Sequence, residues 1–210
     1  MKLIDISHVL DEHTPVFPGD YQTALTLVKT VEKDFFNSYL LQSCLHTGTH
    51  IDLPLHFLAG AQTAAHLPLE GFWGNGVLLD VRGEDPIEMK PAYHRIIHEQ
   101  DVVLLFTGYD RHYRKEEYFT RYPAVSDALA DFLLSRDIRM LGMDMPAPDH
   151  SPYLFHMALL RKGIFVLENL TNLEALTGLE RFIVMALPLK ISAEASFVRA
   201  VCLAPDEAGI

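Results

Sequence analysis

The chain has 210 residues, 49% of them hydrophobic, which is enough for one sizeable core and short for two ordinary domains, so a single domain over residues 1–210 is expected. Seventeen Lys and Arg against 28 Asp and Glu give a formal charge of −11, which argues against nucleic acid or anionic membrane as the main partner and favours a neutral or small molecule. No apolar run is long enough to cross a bilayer, the opening MKLIDISHVL is broken by Asp5, Ser7 and His8 unlike a signal peptide, and two cysteines cannot build a disulfide framework; a soluble, cytoplasmic protein in a reducing compartment is the expectation.

Strands are expected over residues 2–6, 23–31, 39–45, 77–81, 102–106, 138–142, 163–167, 182–187 and 197–203, most of them short and rich in β-branched side chains. Ser126 can cap a helix on which Leu129, Phe132 and Leu133 form an apolar stripe. A second helix is expected over residues 151–162, and Thr171 with Glu174 reads as a capping box for a short helix closed by Gly178. Many strands with few helices and no internal repeats imply a mixed α/β sheet architecture whose ligand-bearing turns lie at strand ends.

After the third of these strands comes HTGTHIDLPLHF, residues 46–57, with three histidines and an aspartate among Gly, Thr, Pro and Leu. Imidazole and carboxylate are costly to bury without a partner, and together they are the donors that suit zinc and its neighbours. His46, Gly48, His50 and Asp52 fall at every second position and share one face wherever the segment is extended, so three donors could converge as a strand end running into a tight turn. Pro54 fixes the backbone just before His56, which places a fourth ring nearby without an evident ligand role. Cys44, two residues before His46, reads either as a soft ligand or as a small buried residue.

Downstream, GMDMPAPDHSPYLFHMALLRKGIFVLENLTNL places His156 in an expected helix and Glu168 at the end of an apolar strand. From the residues alone, Glu168 reads equally as a site carboxylate, a solvent-facing strand-end charge or a carboxylate near a helix start. Asp144 reads as site support or as a turn former before Pro146, and His150 as a residue that orients a ligand or touches substrate. His8, His13, His66, His94, His98 and His112 read as surface or locally bonded side chains.

Over nearly its whole length the chain resembles the metal-dependent cyclase family, in particular its bacterial kynurenine formamidase branch. The resemblance rests on HTGTHIDLPLHF, on TPVFPGD at 14–20, on GMDMPAPD at 142–149, and on His156 followed by ENLTNL at 168–173. It implies a mixed α/β sandwich with a curved sheet, assembled as a homodimer or homotetramer. It also implies two ions per subunit, zinc with manganese or another divalent metal as alternatives: His46, His50 and Asp52 hold one, and Asp52 and Glu168 bridge to a second held also by His156. The implied activity is that of a metal-dependent hydrolase opening the amide of an arylformamide such as N-formylkynurenine, with a cation-activated water as nucleophile and His56 as proton shuttle. Phe17 lines the implied substrate pocket, where the branch typically carries Trp; Ala147 stands where it tends to have Ser.

Two other readings bear on the same residues. A different small cyclic amide or ester could be the substrate. Alternatively the metals are structural and the chain binds small molecules without turnover, although structural zinc sites are usually closed and rich in Cys. A serine hydrolase is set aside because no G-x-S-x-G elbow occurs.

Overall fold

The computed structural model describes residues 1–205; the last five residues of the domain expected over 1–210 lie outside the described residues. Among those described, no helix is long and apolar enough to cross a membrane. The frame is set by the most apolar strand. VVLLF, Val102–Phe106, is buried at every position, which a strand tolerates only when both faces of its sheet are covered.

In chain order the strands are β1 (Lys2–Asp5), β2 (Ala24–Lys29), β3 (Ser38–Gln42), β4 (His50–Asp52), β5 (Trp73–Asp80), β6 (Val102–Phe106), β7 (Met140–Met143), β8 (Phe165–Glu168), β9 (Ile183–Met185), β10 (Ala195–Phe197) and β11 (Val201–Ala204). Nine of them form one sheet in the order β1-β11-β9-β5-β6-β7-β8-β4-β10, parallel from β5 to β8 and antiparallel elsewhere. Two single-turn helices, α1 (Val31–Asp34) and α2 (Tyr93–Ile96), lie in connections, and two longer ones are α3 (Asp127–Ser135) and α4 (Leu154–Arg161).

Strand alternation divides the core in two. Val103, Leu105, Leu141, Met143 and Val166 pack with Leu129, Leu133, Leu159 and Leu160 of α3 and α4. Their neighbours Val102, Leu104, Met140 and Leu167 point the other way, to Ile4, Ile51, Leu53, Val184 and Cys202. The cap at Ser126 forms as the sequence predicts, its side chain accepting from Leu129 N at 3.4 Å.

The sheet curls until its ends meet, because β10 and β11 lie near opposite ends of the order yet only residues 198–200 separate them in the chain. Val198 N donates to Thr49 O at 3.2 Å on the β4 side and Ile6 N to Ala200 O at 3.0 Å on the β1 side, while Ser7 and Leu170 form a bridge across the seam. The mixed, curved α/β sheet expected from the sequence is therefore present. The strand expected over 197–203 is instead two, broken where the chain crosses the seam.

Other boundaries differ for local reasons. The strands expected over 23–31 and 39–45 pair only with each other and form a separate two-stranded arm. Helix α4 starts at Leu154, after a left-handed Tyr153, rather than at residue 151. Thr171 caps nothing: its hydroxyl donates to Asp110 Oδ2 at 2.7 Å, and the following 3₁₀ turn, Leu173–Leu176, is entered through a left-handed Asn172.

Candidate metal centre and pocket

The donor run 46–57 does not form one long extended face. Gly48 takes a left-handed conformation (φ +65°), which turns the chain after His46 and delivers it into the three-residue strand His50–Asp52. Alternation holds within that strand, so His50 and Asp52 share a face. The Gly48 carbonyl, turned by the same bend, lies 2.8 Å from His50 Nδ1 and accepts from Asn169 Nδ2 at 3.0 Å, leaving His50 Nε2 free to face the carboxylates. Thr49 Oγ1 donates to Asn169 O at 2.6 Å, tying the start of β4 to the end of β8.

Register does the rest. His50 is the pairing partner of Glu168 across β4 and β8, and its Nε2 is 3.4 Å from Glu168 Oε2 and 3.3 Å from Asp52 Oδ1. His156, from the first turn of α4, places Nε2 3.2 Å from Asp52 Oδ2 and Nδ1 3.7 Å from Glu168 Oε1. His46 Nδ1 is 2.7 Å from Asp52 Oδ1. The donors thus fall into two groups that share Asp52: His46, His50 and Asp52, and Asp52, His156 and Glu168, the atoms of each within 4.8 Å of one another. All five residues named from the sequence meet here. Cys44 is absent from both groups, and the His150 ring lies tilted against Tyr122, 4.3 Å between centroids.

Four buried atoms of this cluster, His50 Nε2, Asp52 Oδ1, His156 Nε2 and Glu168 Oε1, have no hydrogen bond of acceptable geometry, the 2.7 Å approach of His46 to Asp52 included. Each unsatisfied buried polar atom costs about 1–3 kcal/mol, and four converging ones fit divalent cations held by imidazole and carboxylate. Electrostatics agrees. Burial together with the charges of Asp52 and Asp149 pushes the Glu168 carboxyl well above its ordinary pKa. Burial also acts to raise Asp52, but the imidazoles of His46 and His50 outweigh it and hold the carboxyl well below the usual range. Burial likewise opposes protonation of His46, yet Asp52 and Glu194 raise it to about 9.

His56 stands outside both groups. It ends a 3₁₀ turn, Pro54–His56, with its ring 4.2 Å from that of His46 and 5.8 Å from that of His156. Burial, opposed by Asp52 and reinforced by His46 and His156, lowers its pKa to about 4, so the imidazole is neutral near pH 7. It lines a cavity of about 370 Å³ beside Asp52, His156 and Glu168. Phe17 lines the same cavity, edge-on to Phe119 at 5.6 Å, and Ala147 is also in its wall.

Several participants carry no sequence signal that marks them. Phe57, Phe119 and Tyr153 give the cavity an aromatic lining. Glu194, just before β10, brings Oε1 to 3.4 Å from His46 Nε2, on the side of the ring away from Asp52. Asn169 follows Glu168 directly and accepts from the buried Tyr118 hydroxyl at 2.7 Å. Asp144 does not reach the cluster: it accepts from Thr107 N, Thr107 Oγ1 and Gly108 N at 2.9, 2.5 and 2.7 Å and pins the ends of β6 and β7 together.

The sequence profile of the putative cyclase family matches residues 4–150. The chain belongs to that family. Its relatives include kynurenine formamidases of Bacillus cereus (strain ATCC 14579), 30% identical over 203 residues with 94% of this chain and 95% of the relative covered, and of Geobacillus thermodenitrificans (strain NG80-2), 30% identical over 201 residues with the same coverage. Among solved structures, this cyclase-family chain is similar to an isatin hydrolase bound to the product analogue thioisatinate, with a TM-score of 0.86, 23% identity, and 98% and 93% of the two chains covered. It is also similar to a predicted metal-dependent hydrolase from Bacillus stearothermophilus, with a TM-score of 0.78, 25% identity, and 96% and 97% covered.

Proposed function

We propose that this chain is a metal-dependent hydrolase that opens the amide of a small aryl compound, with an N-formyl arylamine such as N-formylkynurenine as the leading substrate class. One observation carries the reading: two donor groups sharing Asp52 line a cavity that also holds an aromatic wall and an uncommitted, neutral His56. On this reading His46, His50 and Asp52 hold one cation, and Asp52, His156 and Glu168 a second; zinc suits the donor set and manganese is the alternative. The cations, when bound, supply Lewis acidity toward the carbonyl oxygen and a lowered pKa for the attacking water.

The chain's own residues do the remainder. Phe17, Phe57 and Phe119 receive the aryl ring by edge and face contacts. His56 takes a proton from the attacking water and returns it to the departing nitrogen as the carbon–nitrogen bond breaks, giving formate and a free amine. If N-formylkynurenine is the natural substrate, the place of the chain is in tryptophan breakdown.

Phe17 in place of an indole offers a smaller stacking face, which keeps a bicyclic ring amide as a second reading, in line with the isatin hydrolase likeness of the fold. The test is a panel of N-formyl arylamines and cyclic aryl amides offered to the protein reconstituted with zinc or manganese. Release of formate from the N-formyl compounds supports the first reading, and ring opening alone the second. His56→Ala should bind metal like the wild type and lose roughly 10²–10⁴-fold in kcat, and full activity in that variant would remove the shuttle role.

A further inference from the structure

Asn169 is neither a cation donor nor a proton carrier in the hydrolysis, yet each of its polar groups is engaged. It is buried, follows Glu168 in the chain and takes a left-handed backbone (φ +55°), which asparagine adopts more readily than most residues. Its N donates to Met145 O at 3.2 Å and its carbonyl accepts from Thr49 Oγ1 at 2.6 Å. In the side chain, Oδ1 accepts from the Tyr118 hydroxyl at 2.7 Å and Nδ2 donates to Gly48 O at 3.0 Å.

The direction of these bonds is forced from the Gly48 end. A backbone carbonyl can only accept, so the group that Asn169 turns toward it is Nδ2; Oδ1 then faces Tyr118, whose hydroxyl has to donate. The same carbonyl lies 2.8 Å from His50 Nδ1, so that nitrogen carries the imidazole proton and Nε2 presents its lone pair to Asp52 and Glu168. A reversed Asn169 amide would set its oxygen against the Gly48 oxygen. It would also put an acceptor where Nδ2 now lies, 3.5 Å from His50 Nδ1, and compete with Gly48 for the ring proton. The Tyr118 hydroxyl opposes that reversal.

We propose, on the reading that His46, His50 and Asp52 hold a cation, that Tyr118 and Asn169 are positioning residues which keep the His50 proton on Nδ1 and its Nε2 lone pair on that cation. Tyr118 is fully buried in the 3₁₀ turn Glu116–Phe119, and the last residue of that turn, Phe119, stands in the cavity wall opposite Phe17. The turn that carries part of the aromatic wall is thus bonded, through one asparagine, to the carbonyl that orients His50.

Tautomer and metal affinity test this, since a loss of packing alone would lower Tm and leave both unchanged. Long-range proton–nitrogen correlation spectra of the zinc-loaded wild type should show the His50 proton on Nδ1 and zinc on Nε2. Tyr118→Phe keeps the ring and removes only the donor; Asn169→Gly keeps the left-handed backbone without strain and removes the amide. Each should weaken zinc binding about 10–100-fold in competition against a chelator. Wild-type affinity in either folded variant, whatever its Tm, overturns the proposal. Should neither variant fold, the wild-type spectrum decides. Zinc on His50 Nδ1 removes the positioning role and leaves the cation site standing, whereas zinc that never touches His50 removes both.

Discussion

His50 and Glu168 face each other directly across the β4–β8 ladder, His50 Nε2 within 3.4 Å of Glu168 Oε2, although 117 positions separate them in the chain. Because strand side chains alternate, a slip of β4 by one residue in that pairing would turn His50 and Asp52 to the face away from Glu168. Glu168→Gln keeps the shape and removes the charge. We expect it to lose one of the paired ions by elemental analysis and to cut hydrolysis by at least 100-fold, roughly the scale of losing a transition-state electrostatic contact. Wild-type metal content in this variant would sink the assignment.

Gly48→Ala tests the turn that delivers β4. An added Cβ would meet Leu10, Thr14 and Tyr113 only at ordinary contact distances of 3.5–3.7 Å, so the cost is the left-handed backbone and not a clash. That costs about 1–2 kcal/mol. Denaturant melts should show the loss, with metal affinity falling in parallel because the Gly48 carbonyl orients His50. A larger loss would mean that the pocket around Gly48 cannot give.

Glu194→Gln separates positioning from chemistry. Its carboxylate approaches the ring nitrogen of His46 that lies away from Asp52, an arrangement that fixes ring orientation and raises ligand basicity. Competition against a chelator should show metal binding weakened about 10–100-fold, with kcat at saturating metal close to wild type. A fall in kcat with unaltered affinity would place Glu194 in contact with substrate.

His8 makes acid stability measurable at a histidine outside the two donor groups. Burial lowers its pKa to about 4, against a modest pull upward from Asp110, and its ring stacks on Tyr113 with 3.6 Å between centroids. The unfolded chain takes up this proton below pH 6.5 and the folded one only near pH 4. The contribution of His8 is therefore complete above pH 6.5 and declines as pH falls toward 4. His8→Phe keeps the ring on Tyr113 and removes the titration, so Tm of the variant should fall less steeply than that of the wild type across that window. Parallel curves would show that His8 titrates alike in both states.

The sequence exposed the donors because their types are expensive to bury and their spacing is regular: His50 and Asp52 alternate on a strand, and Glu168 ends an apolar run that needs no charge. The all-apolar β6 and the Ser126 cap were equally legible, the first from its composition and the second from a bond made within three residues. Long-range geometry was not. Strands 24–29 and 38–42 are as apolar as sheet members, and nothing local says that they leave the sheet. Glu194 looks like any surface carboxylate until the seam brings it to His46, and Thr171 with Glu174 fits a capping pattern that a bond to Asp110 pre-empts.

The order β8-β4-β10 has a consequence for biosynthesis. β4 lies between strands that the ribosome makes more than a hundred residues later, so His50 and Asp52 emerge long before either neighbour exists. The early segment must wait, unpaired and exposed, while the parallel frame from β5 to β8 assembles, and it is locked in only when residues 195–197 arrive. A nascent chain stalled anywhere before that point should neither retain cation nor turn over substrate, which makes insertion of β4 a late event that follows translation.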